Sequence, residues 1–176
     1  MQRLFRQAYI ALQNDRTCWV LTGLFALLIS LSTLQWGING SQSPYATDVG
    51  EIQNALPRWG TIHFTGYPLY TLTGSLIVTL LRGVSIAPAA GASLVSALWG
   101  ALAIALLALL AHALGAPRPA AILGALLAAV STATWIDASL AEVHTLSMVF
   151  TAGSLLLALR FGRSGARGDL LWLTLV

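Results

Sequence analysis

The sequence predicts an all-helical membrane protein, a polytopic bundle of transmembrane helices with one external loop that bears short juxtamembrane helices. Three observations indicate this fold. Hydrophobic residues make up 57% of the chain and charged residues only 9%, whereas a soluble domain has roughly 25% charged residues. The apolar residues form long uninterrupted runs, as membrane helices do. The polar residues between these runs concentrate in one stretch, residues 45–70.

The first apolar run, residues 17–37, is about long enough to cross a bilayer as a helix. A basic lead-in at residues 1–16 precedes it, and basic flanks favour the cytoplasmic side, so we predict a cytoplasmic N-terminus. A secretory signal peptide is the alternative. The run is long for a signal peptide, and the following QWGINGSQS lacks a clear pattern of small residues for cleavage.

The polar stretch carries a short helix beginning near residue 47. Thr47 or Asp48 is placed to cap its N-terminus, and acidic residues in a first turn suit the helix dipole. Pro57 is expected to end it. Asp48 and Glu51 are three residues apart, so their carboxylates should lie on roughly one side of this helix.

The remaining apolar segments complete the predicted bundle. Residues 67–82 are short for a spanning helix and are predicted as interfacial or re-entrant. The last segment is predicted to be a truncated span. The whole chain is therefore interpreted as the N-terminal part of one transmembrane domain. Its further spans are predicted at residues 88–114, 119–136 and 140–160, with the truncated span beginning at residue 169.

The arginines decide the predicted topology. If residues 67–82 crossed the membrane, the three arginines of residues 160–168 would lie outside, against the positive-inside rule. If residues 67–82 are interfacial or re-entrant, those arginines lie inside, together with Arg118. This second arrangement is preferred, and it places the loop around Glu142 on the same extracytoplasmic side as Asp48.

Three acidic residues are the candidate catalytic groups: Asp48, Glu51 and Glu142. Ionisable side chains at membrane depth are costly and commonly mark a functional site, and a carboxylate beside a low-dielectric region can have a raised pKa suited to acting as a base. Simpler interpretations remain. Asp48 and Asp137 can be helix caps, and Glu142 can be stabilised by the dipole of the helix that follows it.

The sequence also limits the cofactors and partners. His63 and His144 could bind a metal or a phosphate, but no ligand spacing enforces a metal site, so we predict no metal and no cofactor. All nine basic residues are arginine and form no basic run, which argues against nucleic acid as a partner. With Cys18 as the one cysteine, no disulfide can form within the chain.

Four segments, taken in order, resemble a known family: DVGE at residues 48–51, HFTGYPLY at 63–70, SLVSALWGAL at 93–102 and AEVHTL at 141–146. The resemblance covers roughly residues 17–160. It is to a family of multi-pass membrane proteins, first catalogued as a domain of unknown function, that is related to the protein O-mannosyltransferases of the GT-C superfamily. The family motif has two prolines where this chain has Phe64 and Thr65.

The resemblance implies a glycosyltransferase that takes a sugar from a polyprenyl-phosphate donor, usually with inversion, and delivers it to an extracytoplasmic acceptor such as a protein hydroxyl. Most such enzymes need no metal. By this resemblance Asp48 would be the general base, Glu51 would support it, and Glu142 would be a second acid lining the cavity. The residues implied to bind substrate are His63, Tyr67 and His144.

Two other functions stay open at this point. A transporter or channel subunit would place Glu142 and Asp137 on an ion path at mid-membrane depth. A non-catalytic scaffold would leave Asp48, Glu51 and Glu142 far apart and facing bulk water. Convergence of these acids and His63 on one cavity would favour the enzyme.

Overall fold

A computed structural model describes residues 15–39, 47–165 and 167–175. These residues form helices and turns, with no β-strand among them, so the predicted all-helical class is confirmed. Most of the predicted basic lead-in, residues 1–14, lies outside the described residues, as do residues 40–46, the last two of which begin the polar stretch.

The described chain contains eight α-helices and one 3-10 turn, Leu56–Arg58. In chain order the helices are α1 (Asp15–Ser32), α2 (Val49–Ala55), α3 (Pro68–Gly83), α4 (Pro88–Ala113), α5 (Arg118–Ala129), α6 (Thr132–Ser139), α7 (His144–Ser164) and α8 (Arg167–Leu175).

Helix α4 is the centre of the bundle and packs against α1, α2, α3, α5, α6 and α7. Small residues allow this close packing. A Cβ added at Gly100 of α4 would lie 2.9 Å from the Cβ of Ala138, and one added at Gly23 of α1 would lie 2.9 Å from the carbonyl oxygen of Ala101. Small side chains at helix crossings are typical of helices that associate in lipid.

Helices α4 and α7 are each long and apolar enough to cross a membrane. The pair α5 and α6 would make a third crossing if it acts as one broken span, and α1 is a shorter apolar helix. At about 1.5 Å per residue, α4 alone is about 39 Å long, more than the roughly 30 Å thickness of the bilayer core. Length and composition therefore support insertion into a membrane.

The predicted span at residues 119–136 is not one continuous helix. Helix α5 ends at Ala129, and α6 begins at Thr132 with its axis turned by 66°. Ser131 takes an extended conformation at the junction, and its hydroxyl donates to the carbonyl of Ala128 over 2.7 Å. Serine and β-branched residues favour helix ends over helix interiors, which explains a break inside an apolar run.

Two other boundaries differ from the sequence prediction. Helix α1 ends at Ser32, whereas the apolar run continues to residue 37. Helix α7 begins at His144 and extends through most of the expected arginine loop to Ser164, where Gly165 ends it in the left-handed conformation. Arg160 then pairs with Asp169 over 3.2 Å, which joins α7 to α8.

Candidate active site

Helix α2 holds the first two candidate acids against the bundle by its apolar side. Val49, Ile52 and Leu56 are at most 1% exposed and belong to a core cluster that includes Tyr70 of α3 and Val95 of α4. Burial of each such side chain contributes about 1.5–3 kcal/mol. The exposed side of α2 is thereby fixed in direction, and Asp48 and Glu51 lie on it.

A buried amide fixes the other side of α2. Gln53 is 4% exposed, and its side-chain nitrogen donates to the Gly37 carbonyl over 3.1 Å and to the side chain of Gln35 over 3.3 Å. Its side-chain oxygen accepts the backbone N–H of Asn39 over 2.7 Å. These bonds join α2 to the segment that follows α1.

Asp48 occupies the N-cap position of α2, but its side chain makes no capping hydrogen bond. The expectation that Asp48 caps the helix through its carboxylate is therefore wrong. The backbone at Asp48 is already helical, with φ −90° and ψ −14°, whereas a capping side chain needs the extended conformation to reach back. Its carboxylate instead faces His63, with Oδ2 lying 3.8 Å from Nε2 of the ring.

Glu51 binds His63 through both of its carboxylate oxygens. Oε1 accepts the backbone N–H of His63 over 2.7 Å, and Oε2 lies 2.7 Å from Nδ1 of the ring. A turn closed by a hydrogen bond from the Gly66 N–H to the His63 carbonyl holds the loop. The Tyr67 ring packs edge-on against the imidazole with centroids 5.8 Å apart.

The carboxylates favour the protonated form of His63. The hydrogen bond to Glu51 raises the pKa of His63 above its ordinary value, and partial burial opposes that rise. The negative charge of Asp48 raises this pKa further. The side chains of all three groups remain 40–46% exposed, so solvent weakens these effects.

Glu142 lies in the connection between α6 and α7 and is only 6% exposed. Its backbone is held by Ser96 of α4, whose hydroxyl donates to the Glu142 carbonyl over 2.7 Å and accepts the Glu142 N–H over 2.9 Å. The Tyr70 hydroxyl lies 3.0 Å from the same serine oxygen. Because the serine has only one hydrogen to give, Tyr70 must be the donor in this contact.

Burial changes the acidity of Glu142. Desolvation raises the pKa of its carboxyl from 4.5 to about 7, and the nearby negative charges of Asp137 and Asp48 act in the same direction. A carboxyl with this pKa is present in both charged and neutral forms near neutral pH. Such tuning by burial and like charge is typical of catalytic carboxyls.

Asp48 and Glu142 meet at one cavity of about 670 Å³. Asp137 also lines it, from the last turns of α6 rather than from a helix start. The expectation that Asp137 is a cap is therefore wrong, because α6 already begins at Thr132. The full lining is Thr47, Asp48, Thr132, Ala133, Ile136, Asp137, Glu142 and His144.

A second, mostly apolar cavity of about 390 Å³ lies along α4 and α7. His144 is the one residue that lines both cavities. From α4 the second cavity is lined by Ala103, Leu107 and Leu110, and from α7 by Ser147, Met148, Thr151, Ala152 and Leu155. An apolar groove that shares a lining residue with an acidic pocket is suited to a molecule with an apolar tail and a polar head.

The candidate residues form two groups that share Asp48, and Glu51, His63 and Tyr67 are not among the residues that line the cavity. Asp48, Glu51 and His63 form one cluster, beside which Tyr67 packs. Asp48 also shares the larger cavity with Glu142 and His144. The ligand atoms of the three clustered residues lie within 4.8 Å of one another, a spacing that a divalent cation could bridge.

Sequence reasoning missed three supporting residues. Ser96 and Tyr70 lie in segments that carry the family resemblance, yet nothing in their spacing shows that they would hold Glu142. Gln53 had one available indication, since a glutamine at a position of the short helix that faces the core needs buried hydrogen-bond partners.

The family model described as the protein O-mannosyl-transferase TMEM260 N-terminal domain matches residues 48–176. No curated protein and no solved structure matches the chain. The matched region begins at Asp48 and includes all six candidate site residues.

Proposed function

The chain belongs to the family of the protein O-mannosyl-transferase TMEM260 N-terminal domain, and from this premise we propose that it carries the catalytic side chains of a membrane glycosyltransferase. The proposed reaction moves a sugar, mannose by the family's name, from a polyprenyl-phosphate donor to an extracytoplasmic protein hydroxyl. The observation that carries this proposal is the meeting of Asp48 with the buried Glu142 at one cavity.

Asp48 is the proposed general base. It is half-buried, lines the cavity with one side and faces His63 with the other. An acceptor hydroxyl in the cavity can therefore come within hydrogen-bond reach of its carboxylate, which is the geometric requirement for a base. The Asp48 carboxylate makes no hydrogen bond to the N-terminus of α2, so it is available for this role.

Glu142 is the proposed second acid of the cavity. Its neutral form can donate a hydrogen bond and its charged form can accept one, and both forms are present near pH 7 because burial raises its pKa to about 7. In this proposal Glu142 orients the hydroxyls of the transferred sugar. The bonds between its backbone and Ser96 keep its position fixed, as preorganised catalysis requires.

The remaining residues shape the substrate pocket. Glu51 supports Asp48 by fixing His63, and Tyr67 packs against the His63 ring beside these acids. His144 lines both the acidic cavity and the apolar groove, so we place the donor phosphate beside it and the polyprenyl tail in the groove. No metal is part of the proposed reaction.

In chemical terms, the acceptor oxygen attacks the anomeric carbon as Asp48 removes its proton. The bond from that carbon to the phosphate oxygen breaks, and the phosphate leaves with the electron pair. An attack from the face opposite the phosphate inverts the anomeric configuration. The acidic cavity supplies the base, and the groove presents a lipid-linked donor from within the bilayer.

The test is the variant Asp48→Asn in the full-length protein, assayed in nanodiscs with polyprenyl-phosphate mannose and a serine- or threonine-containing peptide. We expect transfer to fall by at least a factor of about 10², the lower range for loss of a general base. Membrane insertion should be unchanged. Asp169→Asn, which removes an acid paired with Arg160 rather than one at the cavity, is the control. Wild-type activity in Asp48→Asn would refute the assignment.

The ion-path hypothesis receives less support from the geometry. Helices α4 and α7, the two described helices that are long enough to cross the membrane unaided, contain no aspartate or glutamate. Asp48, Asp137 and Glu142 line one cavity together with His144, the first residue of α7, whereas Asp169 pairs with Arg160 near the other end of that helix. A scaffold with dispersed, fully solvated acids is equally hard to reconcile with a Glu142 that is 6% exposed.

A further inference from the structure

The two ring nitrogens of His63 face two different carboxylates. Nδ1 lies 2.7 Å from Oε2 of Glu51, and Nε2 lies 3.8 Å from Oδ2 of Asp48. The first contact is a short hydrogen bond, whereas the second is longer than one. His63 therefore lies between Glu51, which binds it by a hydrogen bond, and Asp48, which was proposed above as the base. The inference that follows rests on that proposed function.

The contact with Glu51 determines where the hydrogen of a neutral His63 lies. An ionised carboxylate is only an acceptor, and Glu51 already accepts the backbone N–H of His63 with its other oxygen. The ring nitrogen at 2.7 Å must therefore carry the hydrogen. In a neutral imidazole the other nitrogen then has the lone pair. Nε2 thus presents a proton-accepting lone pair toward Asp48.

We propose that His63 is the final proton acceptor of the transfer reaction and that Glu51 is the residue that positions it. The acceptor hydroxyl gives its proton to Oδ2 of Asp48, and the proton then passes to Nε2 of His63. The O–H bond of the acceptor is replaced by its new bond to the anomeric carbon, and the phosphate departs with the electrons of the broken bond. At the end the proton is on an imidazolium, and Asp48 is again a carboxylate.

The surroundings of His63 stabilise that imidazolium. Asp48 and Glu51 of the α2 segment face its two nitrogens, and the negative charge of Glu142 acts on it from the connection before α7. Tyr67, at the start of α3, packs its ring edge-on and adds no positive charge. The 3.8 Å separation from Asp48 must shorten for a direct transfer. Catalytic hydrogen bonds are often long in unliganded structures and tighten when substrate binds.

A purely structural role for His63 predicts different behaviour, and one variant separates the two. His63→Asn keeps an N–H donor close to the position of Nδ1, so it can still bond Glu51 and hold the loop, but its amide cannot take up a proton. The matched control is His112→Asn, because His112 also donates through Nδ1, to the Ala116 carbonyl over 2.9 Å, and it lies in the last turn of α4, away from the cavity.

The decisive readout is the dependence of kcat on pH in the full-length protein. His63 must be neutral to accept a proton, so the wild-type rate should rise with pH through an apparent pKa above 6.5. His63→Asn should lose this rise and lower kcat at pH 7.5 by about 10²-fold. In Glu51→Gln the rise should move to lower pH, because the hydrogen bond that raises the pKa of His63 is weakened. His112→Asn should match the wild type.

A second readout does not depend on activity. The chain has three histidines, so ¹⁵N-histidine labelling gives few signals, and His63→Asn identifies the one from His63. The neutral ring should carry its hydrogen on Nδ1 in the wild type and become a mixture of tautomers in Glu51→Gln. A neutral ring with its hydrogen on Nε2 would overturn the inference, as would a wild-type pH profile in an active His63→Asn. If the wild-type protein itself transfers no sugar, the proposed function fails instead.

Discussion

Replacing Glu142 by glutamine should stabilise the folded protein at alkaline pH while impairing transfer. Glutamine has nearly the same shape as glutamate and keeps the backbone bonds to Ser96, but it cannot ionise. In the wild type, burial raises the pKa of this carboxyl from 4.5 to about 7. The charged form is therefore disfavoured in the folded state relative to the unfolded state.

The magnitude and the pH window follow from this pKa difference. Below pH 4.5 the carboxyl is neutral in both states and contributes no difference in stability. As pH rises from 4.5 to about 7, the unfolded chain ionises first and the wild type loses stability. Since one pKa unit corresponds to about 1.4 kcal/mol, the rise from 4.5 to about 7 makes the loss above pH 7 at most about 3.5 kcal/mol. Glutamine removes this loss.

The assay is thermal or denaturant unfolding of the wild type and Glu142→Gln in detergent or nanodiscs at pH 5 and pH 8. The variant should gain about 1–3 kcal/mol over the wild type at pH 8 and much less at pH 5. Glu51→Gln is the control, because that exposed carboxylate bonds His63 and its loss should not stabilise at either pH. An equal effect of Glu142→Gln at both pH values would show that this carboxyl is not desolvated.

Two further predictions concern the residues that hold the site. Ser96→Ala should destabilise the fold by about 1–3 kcal/mol, since it leaves the buried Tyr70 hydroxyl and the backbone groups of Glu142 without their partner. Tyr70→Phe should destabilise the fold less. Equal melting temperatures for both variants and the wild type would contradict this prediction. Gly100→Ala should cost about 1–3 kcal/mol, because the new Cβ would lie 2.9 Å from Ala138. Gly124→Ala, which meets nothing within 4 Å, should be neutral or stabilising in the same unfolding assay.

The predicted bounds of α4 agree with the structure because a proline and a glycine, residues that begin and end helices, lie at its two ends. Pro88 begins the helix, and it ends at Ala113, just before Gly115. The break between α5 and α6 was not predicted, because Ser131, Thr132 and Thr134 are small side chains that a membrane helix also tolerates. Hydropathy measures how apolar a segment is and not the direction of its helix axis. It therefore does not report the 66° change of axis at Ser131.

The part of the candidate site that depends on local spacing could be predicted from the sequence, and the part that depends on tertiary packing could not. The spacing of Asp48 and Glu51 is local, and helix geometry alone places them on one side. The position of His63 between them depends on a loop that returns after twelve residues, and no periodicity encodes that return. The approach of Glu142 to Asp48 depends on how α2, α6 and α7 each pack against α4. That packing is a property of the whole bundle.

The most direct test of the central claim is the sidedness of the cavity. With Cys18 changed to alanine, single cysteines at Thr47 and at Ala133, both lining the cavity, can be treated in intact cells with a maleimide that does not cross membranes. Both positions should react from the extracytoplasmic side, and a polyprenyl-phosphate donor should slow both reactions. Reaction of the two positions from opposite sides of the membrane would contradict a shared pocket and, with it, the proposed enzyme.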